Sequence, residues 1–399
     1  MDRSKPADGA RRWVPQAYLA LAHLALGTAC AVILWDSSLI AGFFYHPKMI
    51  AAVHTVTLGW ISSTLIGIQY VAAARWGLRF GRLDVVILVA WSLGASGLAS
   101  HFWIEEFSGM AWSAGLLGLA ILAAAGRLGL AFAATPVPAP IKLQLNLAWL
   151  NLAGTAFIGL LLGLNKTSAV LPGYSLHNVY AHAHLAAIGW GFMTSIALAH
   201  LVLVKNGESM PLTVWSVHGT LLTQLGAAGI FVSLLVGEPY LGVSAVAALL
   251  GMTVCLTCLV VHARSVRAPA SRPGLLVWSA GWVWLLVAAG IGLSLLGGPE
   301  GGGEPARIMA YGVTGVLAGL GQTVFGLSLF WWRGLESGAG LAWPAAAGWS
   351  LAAPLLVVGL AGTYPLPIAV GAACLLFAVL WNARSIRRAG CTRTRSAGG

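Results

Sequence analysis

Residues 179–203 read VYAHAHLAAIGWGFMTSIALAHLVL, 25 positions without one Asp, Glu, Lys or Arg. An α-helix rises 1.5 Å per residue, so about 20 mostly apolar residues cross the hydrocarbon core of a bilayer. This stretch is long enough to cross, and it carries His182 and His184 inside the run. Working outward, the chain holds eleven more runs of the same kind. The twelve spans are expected near 14–36, 49–72, 84–103, 109–131, 143–165, 179–203, 211–236, 241–262, 274–297, 307–332, 342–362 and 364–382. Helix breakers or charges separate them: Pro47-Lys48, the Pro136–Pro140 stretch, Pro172-Gly173, Pro239, Pro273 and Pro305.

Composition agrees with the spans. Of 399 residues 58% are hydrophobic and 8% charged, and the mean hydropathy is +0.84. A soluble globular surface needs roughly 25% charged residues. A soluble enzyme, a disordered chain and a nucleic-acid binder are therefore excluded. Cys30, Cys255, Cys258 and Cys374 lie in apolar stretches and Cys391 in the C-terminal tail, so the cysteines do not form a disulfide framework. The fold expected is an all-α polytopic membrane protein of about twelve transmembrane helices. Residues 1–13 are a polar tail, 14–383 one membrane domain and 384–399 a basic tail.

Twelve spans put both tails on one side. Distributed over that topology, 19 of the 22 Lys and Arg residues fall on the face of the tails, and only Lys48, Lys166 and Arg307 fall on the other. The positive-inside rule places both termini in the cytoplasm, in a plasma (inner) membrane. A cleavable signal is the competing reading of the first span, with Ala29-Cys30-Ala31 as its cleavage site. The run is long for a signal, and its removal would spoil the charge asymmetry.

The span beginning at 179 has a counterpart. His54-Thr55-Val56-Thr57-Leu58-Gly59-Trp60 and His184-Leu185-Ala186-Ala187-Ile188-Gly189-Trp190 share the pattern H-x-x-x-x-G-W, 130 residues apart. A further 130 residues leads to Thr314, with Gly319 and Leu320 in the Gly and Trp slots. The segments open the second, sixth and tenth spans. Three tandem, pseudo-repeated four-helix units follow from this weak internal similarity.

Ionisable groups at membrane depth are costly and point to function. His54, His182 and His184 share one level, about 8 Å below the outer surface at 1.5 Å per residue. Neutral imidazole is a good ligand for haem iron, copper or zinc. Two histidines can hold a haem from both faces as a low-spin electron-transfer centre. His182 and His184, two residues apart, point about 200° apart on their helix and can serve two sites. The opposing reading is hydrogen bonding between packed helices. His54 with His184 is favoured as the ligand pair, because the two occupy equivalent slots at equal depth. His23 and His218 are weaker candidates for a second metal or haem site in the inner half. His101, beside Glu105 and Glu106, reads as interfacial, His46 and His177 as outer-loop residues, and His200 and His262 as cytoplasmic-end anchors. Cys255-x-x-Cys258 reads as a buried apolar pair, and Gly297–Gly303 lacks the helix N-terminus and lysine of a nucleotide site.

The segment His182-Ala183-His184-Leu185-Ala186-Ala187-Ile188-Gly189-Trp190 resembles the H-x-H…G-W helix of haem–copper oxidase catalytic subunits (subunit I), the C-type above all, and the chain is similar to a short, divergent member. The resemblance implies that this helix carries one ligand to a low-spin haem and one to an active-site haem. His54 resembles the other low-spin ligand. Twelve helices, cytoplasmic tails and three four-helix arcs also match that fold. The chain departs from the family in placing H-x-H in the sixth helix rather than the tenth, and in lacking the paired copper-binding histidines of the seventh. By resemblance, then, the expected cofactors are haem b and, for a second centre, copper. The expected partners are the lipid bilayer and an electron-donor cytochrome or quinol. The expected function is electron transfer, extending to reduction of oxygen or nitric oxide by an oxidoreductase. In size and helix count the chain also resembles the NnrS family of haem- and copper-containing membrane proteins. That likeness supports an alternative reading as a non-enzymatic haem or copper carrier or a nitric oxide-response sensor.

Overall fold

The computed structural model describes residues 13–42, 44–168, 170–171, 175–204, 210–237, 240–266, 272–296, 304–333 and 339–396. Residues 1–12 of the N-terminal tail, Pro172-Gly173, Lys205, Pro239, Arg267 and Gly297–Gly303 lie outside them, as do the side chains from 385 onward. The described residues are helical apart from turns, with no strand among them.

Among the described residues twelve helices are long and apolar enough to cross a membrane. They are α1 (Trp13–Trp35), α2 (Pro47–Arg75), α3 (Arg82–Trp103), α4 (Met110–Ala133), α5 (Ala139–Leu164), α6 (Leu176–Leu203), α7 (Thr213–Val236), α8 (Leu241–Ser265), α9 (Pro273–Leu295), α10 (Pro305–Trp331), α11 (Ala342–Ala361) and α12 (Pro365–Arg384). The protein is an all-α, multi-pass membrane protein that contacts lipid. Exposed Leu and Val side chains along the helices, such as Leu24, Leu119, Leu225 and Val243, are the apolar surface that lipid requires.

Local chemistry sets the ends. At α2 the His46 ring accepts from the Lys48 N–H at 3.3 Å, and Pro47 occupies the first turn, where its missing N–H would have had no helical partner. The same tolerance explains why α5 starts at Ala139, ahead of the expected 143: Pro140 falls in the first turn instead of breaking the helix. Beyond the end of α4 the Lys142 ammonium donates to the Ala133 and Thr135 carbonyls at 3.1 and 2.7 Å.

Three helices change pitch in mid-course. α2, α6 and α10 each contain an eight-residue π-helical window, at Thr55–Ser62, Leu185–Phe192 and Thr314–Gly321. The windows start 130 and then 129 residues apart, immediately after His54, His184 and Val313. The three-fold repeat read from the sequence thus has a backbone signature. Its third register is one residue off the sequence reading, and Val313 rather than Thr314 stands in the histidine slot. Only a glycine in a chain with 51 of them had guided that match.

The chain packs as two compact units. The first joins residues up to Ala22 to Ser62–Val266. In it α7 and α8 approach backbone to backbone. A Cβ added to Gly226 would lie 2.3 Å from the Ala248 nitrogen, and one on Gly251 2.3 Å from the Thr223 nitrogen. Small residues bring membrane helices together in this way, since lipid gives them no hydrophobic drive to associate. Ala181, Ile230, Leu234 and Ala248 form a buried cluster beside that crossing. Asp84, fully buried on α3, pairs with Arg127 of α4 at 2.9 Å.

The second unit comprises His23–Ile61 and Arg267 onward. Here α11 meets α12 at Gly348 and Gly359, whose added Cβ atoms would touch the Cys374 carbonyl and the Ile368 nitrogen at 2.9 and 2.8 Å. Trp60 stacks on Trp349 at 4.7 Å, and Trp349 on Phe325 at 4.9 Å.

Candidate functional site

The π windows place the candidate ligands. His184 is the last residue before its window, on α6 in the first compact unit. Its Nδ1 lies 2.7 Å from the Tyr180 carbonyl. His54 is the last residue before its window, on α2 in the second unit, with Nδ1 2.8 Å from the Ile50 carbonyl. A carbonyl can only accept, so in both rings Nδ1 carries the hydrogen. In the neutral imidazole Nε2 then carries the lone pair. Metal-ligating histidines are oriented by such an Nδ1–H bond to a backbone carbonyl. Both rings are half-buried. They therefore fit axial ligation of a haem iron in tautomer and anchoring.

His182 lies one residue from the exposed Ala183, its ring turned to α5. A Cβ added to Gly159 would approach its Cε1 to 3.0 Å.

The two glycine-tryptophan steps are closely packed. A Cβ on Gly189 would collide with the Asn151 side chain at 2.5–2.7 Å, and one on Gly59 with Ala25 at 2.6 Å. The glycines admit neighbouring helices. Trp190 packs on Trp149 at 4.8 Å and donates its indole N–H to Ser62 at 3.0 Å. Trp149 donates to Gln69 at 3.0 Å and Trp91 to Ser63 at 2.9 Å. These tryptophans serve as buried core with their N–H groups satisfied.

The weaker candidates separate cleanly. His23 Nε2 lies 3.3 Å from the buried Asn382 amide, an interhelical contact between α1 and α12. His218 repeats the anchoring of His54, with Nδ1 2.7 Å from the Val214 carbonyl, but it is exposed on the outer face of α7. His101 pairs with Glu106 at 3.0 Å in the α3–α4 turn. Cys255 and Cys258 are both buried on α8.

One constellation was missed. His200 and His262, expected to be separate anchors, are buried and joined Nδ1 to Nδ1 at 3.0 Å. Their centroids are 5.3 Å apart and their planes differ by 25°. That separation is close to the nitrogen distance plus two ring radii, so the rings meet edge to edge and one N–H is donated to the other ring. Span parity held the signal, since each histidine lies within the last turn of an even-numbered helix.

Among the described residues no three His, Cys, Asp or Glu side chains gather as a metal-holding group. They do not fit a three-donor copper centre. No model of a known protein family and no curated protein matches the chain.

Proposed function

We propose that the chain is a haem-binding membrane redox protein, related in design to the haem–copper oxidase catalytic subunit, with His54 and His184 as axial ligands. One observation carries the reading. The two histidines in equivalent repeat slots, each at the mouth of a π window, are anchored through Nδ1 in the same way, which leaves the ligating nitrogen of the same kind in each. The third repeat has Val313 there and supplies no ligand.

A haem b with two histidine ligands would supply one-electron transfer at a saturated iron that does not bind oxygen. The chain's own contribution is tautomer control by Ile50 and Tyr180, and burial. His182, aimed elsewhere, is the candidate ligand of a second, reactive centre for a small molecule such as oxygen or nitric oxide. Electrons would come from a cytochrome or quinol. The topology proposed is that of an inner-membrane protein with both termini in the cytoplasm, on the strength of the basic-residue asymmetry.

A reduced-minus-oxidised spectrum of the purified protein tests the proposal. A low-spin haem b signal is expected, to be lost in His54→Ala and in His184→Ala and kept in Val313→Ala, His23→Ala and His218→Ala. A wild-type protein without haem, or histidine variants with an unchanged signal, would overturn it. Turnover with oxygen or nitric oxide then separates an enzyme from the carrier or sensor alternative.

A further inference from the structure

The π window after His184 carries a polar clamp. In an α-helix the Met193 N–H would bond to Gly189 O; here it goes to Ile188 O and Trp190 O. Gly189 O is met from outside the helix by the Asn151 amide of α5, at 3.2 Å. Asn151 is buried, and α7 holds it from behind. Its Nδ2 donates to Gln224 Oε1 at 2.7 Å, and Gln224 Nε2 donates back to Asn151 Oδ1 at 3.0 Å. The same Nδ2 lies 3.7 Å from the Met193 sulfur. Every contact falls inside the first compact unit.

In the first window the residue facing the glycine is apolar, Ala25 against Gly59 at 2.6 Å from an added Cβ, and the third window has Ala318 in the glycine's place. Shape complementarity alone therefore suffices to pack a window. A buried amide and a half-buried one, desolvated at a cost and offset by each other and by one carbonyl, hold the second window. That helix is also the one that bears two histidines two residues apart.

We infer that Asn151 and Gln224 are positioning residues, which hold the π register after His184 and so fix the directions of His184 and His182. A π window accommodates a residue more than the α-helix it replaces. Reversion to α would turn everything before the window relative to everything after it by about 100°, one residue's share of a 3.6-residue turn. Both imidazoles would swing away from their sites. The inference rests on the ligand role proposed for His184, but its first readout does not.

The experiment uses the full-length protein in detergent, with Asn151→Leu, Gln224→Leu and the exchanged pair Asn151→Gln/Gln224→Asn. Hydrogen–deuterium exchange is followed over residues 185–192, with 55–62 and 314–321 as internal references. Each single variant is expected to speed exchange in 185–192 by about tenfold, the loss of one buried hydrogen bond, and to leave the references unchanged. The low-spin haem signal should shift in its electron paramagnetic resonance with haem content retained, and the exchanged pair should restore both readouts. Unchanged exchange in Gln224→Leu, the milder variant, would overturn the clamp. Faster exchange with a wild-type resonance signal would overturn the positioning role. A wild-type protein without haem would sink the proposed function and the positioning role with it, while exchange would still decide whether the clamp exists.

Discussion

Arg127→Ala should be among the most destabilising single substitutions in the first compact unit. Asp84 Oδ1 accepts from Arg127 Nε at 2.9 Å, and Oδ2 accepts from Nη2 at 3.3 Å. Nη2 also donates to the Arg79 carbonyl at 2.7 Å, so one guanidinium ties α3, α4 and the turn between α2 and α3. The Asp84 side chain is 0% exposed and that of Arg127 26%. Removing one partner of a buried pair strands the other charge and costs about 3–5 kcal/mol. Two features place the loss at the lower end, about 3 kcal/mol. Water can reach the site along the partly exposed arginine, and Asp84 keeps the Gly81 N–H, which donates to it at 2.7 Å. The assay is denaturant unfolding in mixed micelles, with Asp84→Asn/Arg127→Met as the partner variant. The double variant removes both charges and should recover most of the loss. A single-variant loss below about 1 kcal/mol, the range of an exposed ion pair, would refute the burial argument. A double variant worse than the single would refute the stranded-charge explanation.

Three further outcomes follow from particular contacts. Gly226→Val should cost about 3 kcal/mol, as the upper range of overpacking, because its new Cβ meets Ala248 backbone and not a movable side chain; unfolding in micelles checks it. Glu106, in the α3–α4 turn, has its carboxyl held below the usual carboxylate range by the Ser108 hydroxyl and then the Gly109 N–H. A depressed acid contributes order above its unfolded value, near 4.3, and loses it as the pH falls through the lower folded value. Proteolysis of residues 104–109 should therefore stay flat above that range and rise below it, and Glu106→Gln should remove the dependence. Reporter tags at the two termini should both report the cytoplasm, since 19 of 22 basic residues fall on that face; tags on opposite sides would mean that the topology is wrong.

The helices were legible because the bilayer imposes one length and one polarity on every span. All twelve fall within a few residues of their expected positions. The exception of most consequence is α5, where Pro140 was read as a breaker although the first helical turn has no use for its N–H. The π windows were not legible. TVTLGWIS, LAAIGWGF and TGVLAGLG share no composition that distinguishes them from the α-helix around them. Their pitch is set by what packs on them, which is a tertiary fact. The His200–His262 bond was hidden for the same reason. Periodicity gives the depth of a side chain but not the neighbour it meets.

The windows also decide how far the histidine signal carries. A π segment follows Val313 as it follows His54 and His184, so the pitch change belongs to the repeat and is no mark of a ligand. Had the windows evolved around the histidines, the third would have had no reason to survive. What separates the repeats is laid on that common frame. The first and second carry a histidine anchored to the carbonyl four residues back. The second alone adds His182 and the Asn151–Gln224 amides. The anchoring alone does not separate the two roles, since the exposed His218 has it too, but a packing histidine would need no clamped register, because a ring that only fills space tolerates rotation. The Asn151–Gln224 contacts lie against the helix that bears both His182 and His184. That is where a ligand role for His184 and His182 differs physically from the packing role, and the clamp variants measure that difference.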